Sequence, residues 1–243
     1  MTVLGIDISR WQNNITTPQV MDFAKAKNAG ANFAFIKASQ ATWKDRDFTM
    51  NWQNAKDAGL PRGAYHFMDW TTSAANQARY FASLLVDDPC ELPPVADFEY
   101  RKGAPVKAKA TEELYSFVSN VEQALGRQVM IYTAPYYWRE FFSGAHANYF
   151  MDRPLWIAHY GVSRPTVPAP WNAWTFWQYS AKGDGRLFGA ESLDIDLDYY
   201  NGTLDEFNAA FNLTHTPTVE ERLTAIEARL DTLEAYAVIQ AQK

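Results

Sequence analysis

What most restricts the fold of this chain is a rhythm. Short runs rich in β-branched and aromatic residues return eight times, at 3–8, 33–38, 62–67, 92–98, 128–133, 154–159, 173–179 and 193–198. Between the first five lie segments of helical period at 19–28, 50–58, 74–86 and 108–125, and Gly30, Gly59 and Gly126 follow three of them at the helix-capping position. Strands alternating with helices build a parallel sheet, because a parallel return needs a crossover long enough to hold a helix. Unbroken apolar runs such as Phe33-Ala-Phe-Ile36 suit strands covered on both faces, and eight such strands point to closure into a barrel. The last connections differ: 160–171 carries Pro165, Pro168 and Pro170, and 180–189 carries three glycines, so neither suits a crossover helix. The expected fold is α/β, an irregular TIM-like (β/α)5(β)3 barrel followed by a C-terminal helix.

Composition narrows the function. At 47% hydrophobic and 21% charged residues the chain has ample apolar material for a core. A net charge of -6 argues against nucleic acid as a partner, since phosphate binding needs clustered Lys and Arg. Cys90 is the only cysteine, which excludes an intrachain disulfide and a thiolate metal cluster. His66, His146, His159 and His215 show no zinc-ligand spacing, and no phosphate-binding or dinucleotide motif is present, so neither a metal nor a cofactor is expected. No run is apolar for long enough to insert into a membrane, and the start of the chain lacks the cationic lead and apolar stretch of a signal peptide. Synthesis in the cytoplasm is the expectation.

The chemistry gathers at strand ends. The fourth β segment closes with Asp97-Phe-Glu99, and alternation along a strand sends both acids to one side. Asp7 ends the first segment, and the eighth carries Asp194, Asp196 and Asp198, among which spacing alone does not choose. First and eighth strands become neighbours when a barrel closes, so three strands deliver acids to one mouth. Crowded carboxylates raise one another's pKa, and a carboxylic acid still protonated near neutral pH is what glycosidic proton donation requires. Lys37, at the end of the second segment, is the natural ion-pair partner for some of them. Nine Trp, all between Trp11 and Trp177, fit a ligand with flat faces such as a sugar, although core packing accounts for most.

From about Leu213 the composition changes: Trp, Phe and Gly disappear and one polar helix follows. Val219, Leu223, Ile226, Leu230 and Leu233 step by alternating fours and threes, the apolar seam of a heptad repeat. A parallel second copy would set Arg222 against Glu227 and Arg229 against Glu234, so a homo-oligomer is expected through this helix. The domain reading is 1–212 for the barrel and 213–243 for the linker and coiled-coil helix.

Gly5-Ile-Asp7-Ile-Ser-Arg-Trp-Gln12, Phe35-Ile-Lys37-Ala-Ser39, the stretch from Asn51 through Gly63-Ala-Tyr65-His66-Phe67, Pro94-Val-Ala-Asp97-Phe-Glu99, Ile131-Tyr132-Thr133, Trp156-Ile-Ala158, Trp177-Gln178-Tyr179 and Asp196-Leu-Asp-Tyr-Tyr-Asn-Gly202 together resemble glycoside hydrolase family 25, the Chalaropsis-type lysozymes common among phage endolysins. The resemblance runs in order from about Val3 to Phe211. It implies hydrolysis of the β-1,4 bond between N-acetylmuramic acid and N-acetylglucosamine in bacterial peptidoglycan, with holin-type or lytic release bringing the protein to the wall. It favours Asp196 over its neighbours, and with Asp7, Asp97 and Glu99 this completes the expected catalytic set. Lys37, Tyr65, Tyr132, Trp177 and Gln178 are the expected sugar-groove residues. Gln40 stands where the family often carries Glu. For Asp97 two roles are open, attack or water activation on one hand and orientation of the substrate's own acetamido group on the other; the resemblance favours the second, with retention. The alternatives are a chitinase-like enzyme or glucosaminidase, or a sugar-binding module without catalysis. The Asp-x-x-Asp-x-Asp-x-Glu run of chitinases is absent, since only Asp97 and Glu99 fit it.

Overall fold

The computed structural model describes residues 3–13, 21–99 and 103–213. In chain order the elements are β1 (Val3–Ile8), a single 3-10 turn (Arg10–Gln12), α1 (Phe23–Asn28), β2 (Phe33–Gln40), β3 (Trp43–Lys44), α2 (Phe48–Asp57), β4 (Arg62–Phe67), α3 (Ala74–Ser83) and β5 (Val95–Asp97). There follow α4 (Lys107–Leu125), β6 (Met130–Thr133), α5 (Pro135–Phe141), α6 (Ala147–Met151), β7 (Leu155–Ala158), β8 (Phe176–Asp184), β9 (Asp194–Tyr200) and α7 (Leu204–Ala210). Local chemistry sets several helix ends. The Asp22 carboxylate accepts the Lys25 N–H at 2.9 Å ahead of α1, and Gly126, at φ 62°, closes α4 in a left-handed conformation.

The sheet closes because β1 pairs with both β2 and β9. Its order is β1-β9-β8-β7-β6-β5-β4-β2, with the two-residue β3 an extra flange on β2. The expected irregular barrel is therefore the observed one, helix-rich after its earlier strands and helix-poor between β7 and β9. One expectation is corrected. The wholly parallel sheet fails at β9, which runs antiparallel to both β8 and β1. The cause is the short Gly-rich link from β8, which is long enough for a hairpin return and too short for a crossover. Reversal leaves the acids where they are needed, since Asp7 lies opposite Asp196 across the β1–β9 ladder.

Inside the barrel, alternation points residues 33, 35 and 37 of β2 toward the axis, and the lower layers are aromatic. Phe35 stacks on Trp156 with ring centroids 4.4 Å apart and meets Phe176 edge-on at 5.0 Å, while Phe33 contacts Phe176 at 5.0 Å. Two glycines make room for these rings. A Cβ built on Gly5 would stand 2.2 Å from the Phe33 ring, and one on Gly63 would stand 2.3 Å from Phe35. The barrel is thus plugged below by aromatic side chains and open above, a cup whose floor is apolar. Outside it, α4 buries Leu114, Phe117, Val118 and Val121, and Phe117 stacks on the buried His66 of β4 at 4.8 Å.

The barrel forms one compact unit through Phe207. A second unit begins at Asn208, and its described part, to Leu213, is the end of α7 and the turn after it. The heptad positions Val219, Leu223, Ile226, Leu230 and Leu233 lie outside the described residues. Replacing Gly5→Ala should lower stability by about 1–3 kcal/mol, because the plug has no room to yield. Urea unfolding followed by Trp fluorescence measures this, and an unchanged midpoint would mean that the rings repack freely.

Candidate active site

The mouth of the cup holds the acids. Asp7 on β1, Asp97 at the end of β5, Glu99 two residues beyond it and Asp196 on β9 line one cavity of about 310 Å³, together with Lys37, Tyr65, Tyr132 and Gln178. Parallel strands put their C-terminal ends at one face, and β9 brings its N-terminal half to the same face because it runs the other way. Gln178 ties the strands together. Its amide N–H donates to Asp7 at 2.6 Å, and its oxygen accepts from the Tyr132 hydroxyl at 2.8 Å and from Tyr160. Asp198, fully buried one layer deeper, accepts the Trp156 indole N–H at 2.8 Å. Asp7 and Asp198 sit close enough for each to act on the other's carboxyl, and both are held well above the ordinary carboxylate value, mainly by burial.

Burial dominates the electrostatics. Desolvation, with repulsion from Asp196 and Asp198, raises the Asp7 carboxyl well above its ordinary value. Asp97 is likewise raised by burial and by Glu99, with Lys37 opposing. Glu99 is pushed up to about 7, mainly by desolvation, against the pull of Lys37 and with a push from Asp196, whose own carboxyl rises to about 6. Lys37 is the cation among them. Its ammonium donates to Gln40 at 3.3 Å and lies 4.5 Å over the Phe67 ring. Among the described residues no carboxylate comes within salt-bridge distance of it, so it acts on Asp97 and Glu99 through space. Gln40 in turn donates to Asp69 at 3.3 Å, holding Lys37 by a neutral amide. No group of three or more His, Cys, Asp or Glu among the described residues is arranged to hold a metal ion.

A half-protonated carboxyl near neutrality beside a buried acid is equipment for proton donation, and known proteins with this architecture bear on what it does. The family model for glycosyl hydrolases family 25 matches residues 6–186. Lysozyme M1 of Streptomyces globisporus is 37% identical over 222 residues, covering 87% of this chain and 72% of the relative. The N,O-diacetylmuramidase of a Chalaropsis species is 30% identical, covering 84% of this chain and 96% of its own. Among solved structures, the bacterial lysozyme from Streptomyces coelicolor superposes with a TM-score of 0.76 at 35% identity, covering 88% of this chain and 99% of that one. This chain belongs to glycosyl hydrolase family 25.

Within that family frame, two sequence expectations need comment. Trp177 does not line the cavity. It neighbours Gln178 along β8 and so faces the other side of the strand, where it packs near Trp174, Tyr179 and Tyr199 and donates its indole N–H to the His159 carbonyl at 2.8 Å. Lys37 lies in the cavity, but as a through-space charge rather than an ion-pair partner. Residues not singled out from the sequence include Trp11, 61% exposed on the cavity rim with the Arg10 guanidinium 4.8 Å above its ring. Its place just after the Asp7 strand end was the available signal. Tyr160 has none, because its importance comes from its contact with β8; Asp198 stands among the three alternating acids of the eighth segment, and the structure seats it one layer below Asp196 against Trp156.

Because Glu99 holds its proton more tightly when folded, it costs nothing below about pH 4.5 and destabilises the protein increasingly as pH rises to about 7. Glu99→Gln should therefore match the wild-type melting temperature at pH 4 and exceed it by a few degrees at pH 8. A ¹³C carboxyl titration of Glu99 should show its midpoint near 7. A midpoint near 4.5 with pH-independent melting differences would refute the electrostatic account.

Proposed function

We propose that the barrel is a muramidase, cutting the β-1,4 bond between N-acetylmuramic acid and N-acetylglucosamine of bacterial peptidoglycan, with Glu99 as general acid. The observation that carries this is the place of Glu99. It lines both the acid-rich cavity and a neighbouring cavity of about 470 Å³ bounded by Tyr132, Tyr136 and Tyr160. A proton donor at the junction of two sugar-sized spaces is where the oxygen linking two sugars would lie. The relatives named lysozyme and muramidase support the same substrate.

Asp97 orients the substrate's acetamido group, whose oxygen attacks the anomeric carbon as Glu99 protonates the departing oxygen. Supporting this, Asp97 Oδ1 is buried and meets no hydrogen-bond donor among the described residues, and an acetamido N–H supplies one. Asp7 and Asp196 hold the constellation in place and position water for the second step, when Glu99 returns as base. Tyr65, Tyr132 and Gln178 bound the sugar, and Lys37 keeps Asp97 and Glu99 from both staying neutral. Glu99→Gln should lose at least about a hundredfold in wall-clearing rate, and wild-type activity should fall as pH rises through about 7. Mass spectrometry of the products should find new reducing ends on muramic acid; ends on glucosamine, or an active Glu99→Gln protein, would overturn the assignment. First appearance of the α-anomer by proton NMR would refute retention.

The rest of the chain enters the same reading. The boundary near 212 separates the barrel from a coiled-coil helix, and self-association through Val219, Leu223, Ile226, Leu230 and Leu233 lets several barrels rebind one polymer by effective concentration. An endolysin-like role, with holin-type or lytic release to the wall, completes it. Light scattering should show an oligomer for the full chain and a monomer for a chain ended at Asn212; two monomers at micromolar concentration would contradict the heptad reading.

A further inference from the structure

The cavity beyond Glu99 does not end at the sugars. It shares Pro135, Arg139 and Thr166 with a third cavity of about 320 Å³, walled by Trp138, Phe142 and Pro168. The two cavities therefore adjoin along the Arg139 wall, one reaching Glu99 and the other ending in an apolar pocket, and together they form a groove. Its walls are set in advance. The Trp138 indole N–H donates to the Ala169 carbonyl at 2.7 Å, and the Thr166 N–H donates to His159 Nδ1 at 3.1 Å, which together fix the loop after β7 against α5. Lys107 donates to the Arg139 backbone carbonyl at 2.9 Å, so the position of Arg139 is held from below. Its side chain is exposed, and among the described residues it has no carboxylate partner. Among the described residues no acid other than Glu99 lines the groove, although the chain as a whole is acidic with a net charge of -6.

A neutral glycan of N-acetyl sugars has use for Tyr136 and Tyr160, but none for an unpaired cation followed by an apolar pocket. An acidic peptide rich in alanine has use for both, through a carboxylate for the guanidinium and methyl groups for the indole and phenyl faces. We propose that this arm of the groove binds the peptide stem carried by the lactyl group of a muramic acid beside the cut, with a stem carboxylate on Arg139 and alanine methyls against Trp138 and Phe142. The proposal rests on the muramidase reading and deepens it. The enzyme distinguishes peptide-bearing glycan from stripped glycan at a site separate from the catalytic acids. The preformed walls mean that little ordering cost is added when the stem docks.

The experiment compares two substrates, intact peptidoglycan fragments and the same glycan freed of stems by an amidase with its exposed lactyl carboxyls then capped as neutral methyl amides, cut by the full-length wild type and by Arg139→Gln. The substituted side chain is exposed and the carbonyl that Lys107 uses remains, so the variant should fold; its melting curve is recorded alongside. For the wild type, KM should be lower on stem-bearing chains. Arg139→Gln should raise KM on those chains by about fivefold, as an exposed charge pair allows, with kcat unchanged and no change on stripped chains. Equal effects on both substrates, or none on either, overturn the stem site and leave the muramidase intact. Failure of the wild type to cut either substrate would instead overturn the muramidase reading, and the stem site with it.

Discussion

Everything at the mouth of this barrel depends on carboxylates being gathered where water is scarce. Asp7, Asp97 and Asp198 are buried, Glu99 and Asp196 partly so, and an aromatic plug built from Phe33, Phe35, Trp156 and Phe176 forms the floor beneath them. In such surroundings a lone charge is expensive and neighbouring like charges are more so, hence the acids share protons rather than all ionise. That single constraint brings Glu99 to about 7, raises Asp7 and Asp198 well above the ordinary carboxylate value, and gives Lys37 influence without direct contact. An apolar floor is thus as much a part of the chemistry as the acids are.

Holding that arrangement falls to neutral groups. Gln178 donates to Asp7 while accepting from Tyr132 and Tyr160, so one amide joins β1, β6, β8 and the loop after β7. Gln40 does comparable work between Lys37 and Asp69. Amides suit these positions because they donate and accept at once without adding a charge to a site already crowded with them. The same economy extends outward, where aromatic rims at Trp11, Tyr136 and Tyr160 offer flat surfaces and, among the described residues, Arg139 is the cation on the arm beyond Glu99.

The acids at strand ends were legible because period-two alternation and the barrel rule need only the local sequence. Asp97 and Glu99 face one way by spacing, and Asp7 falls opposite Asp196 once the first and last strands meet. The resemblance places both Trp177 and Gln178 in the sugar groove, but adjacent residues in a strand face opposite sides, so only Gln178 enters the cavity. Spacing leaves Asp198 level with Asp194 and Asp196, and only depth separates it from them. The contacts that define it come from Trp156 and Asp7, far away in the chain.

By itself the sequence determined the number and order of the eight barrel strands, though not the β3 flange, together with the helix-poor final third, the family and the cluster of acids, since each is written in local periodicity or in a linear motif. Only the tertiary structure decided that β9 runs backwards, how deeply each acid sits, which of them raise one another's pKa, and that Arg139 stands beside the cavity that adjoins Glu99. The physical reason is common to all four. Strand direction, burial and charge coupling depend on distances between residues remote in sequence, and a pKa is set by everything within a few ångströms whatever its number in the chain.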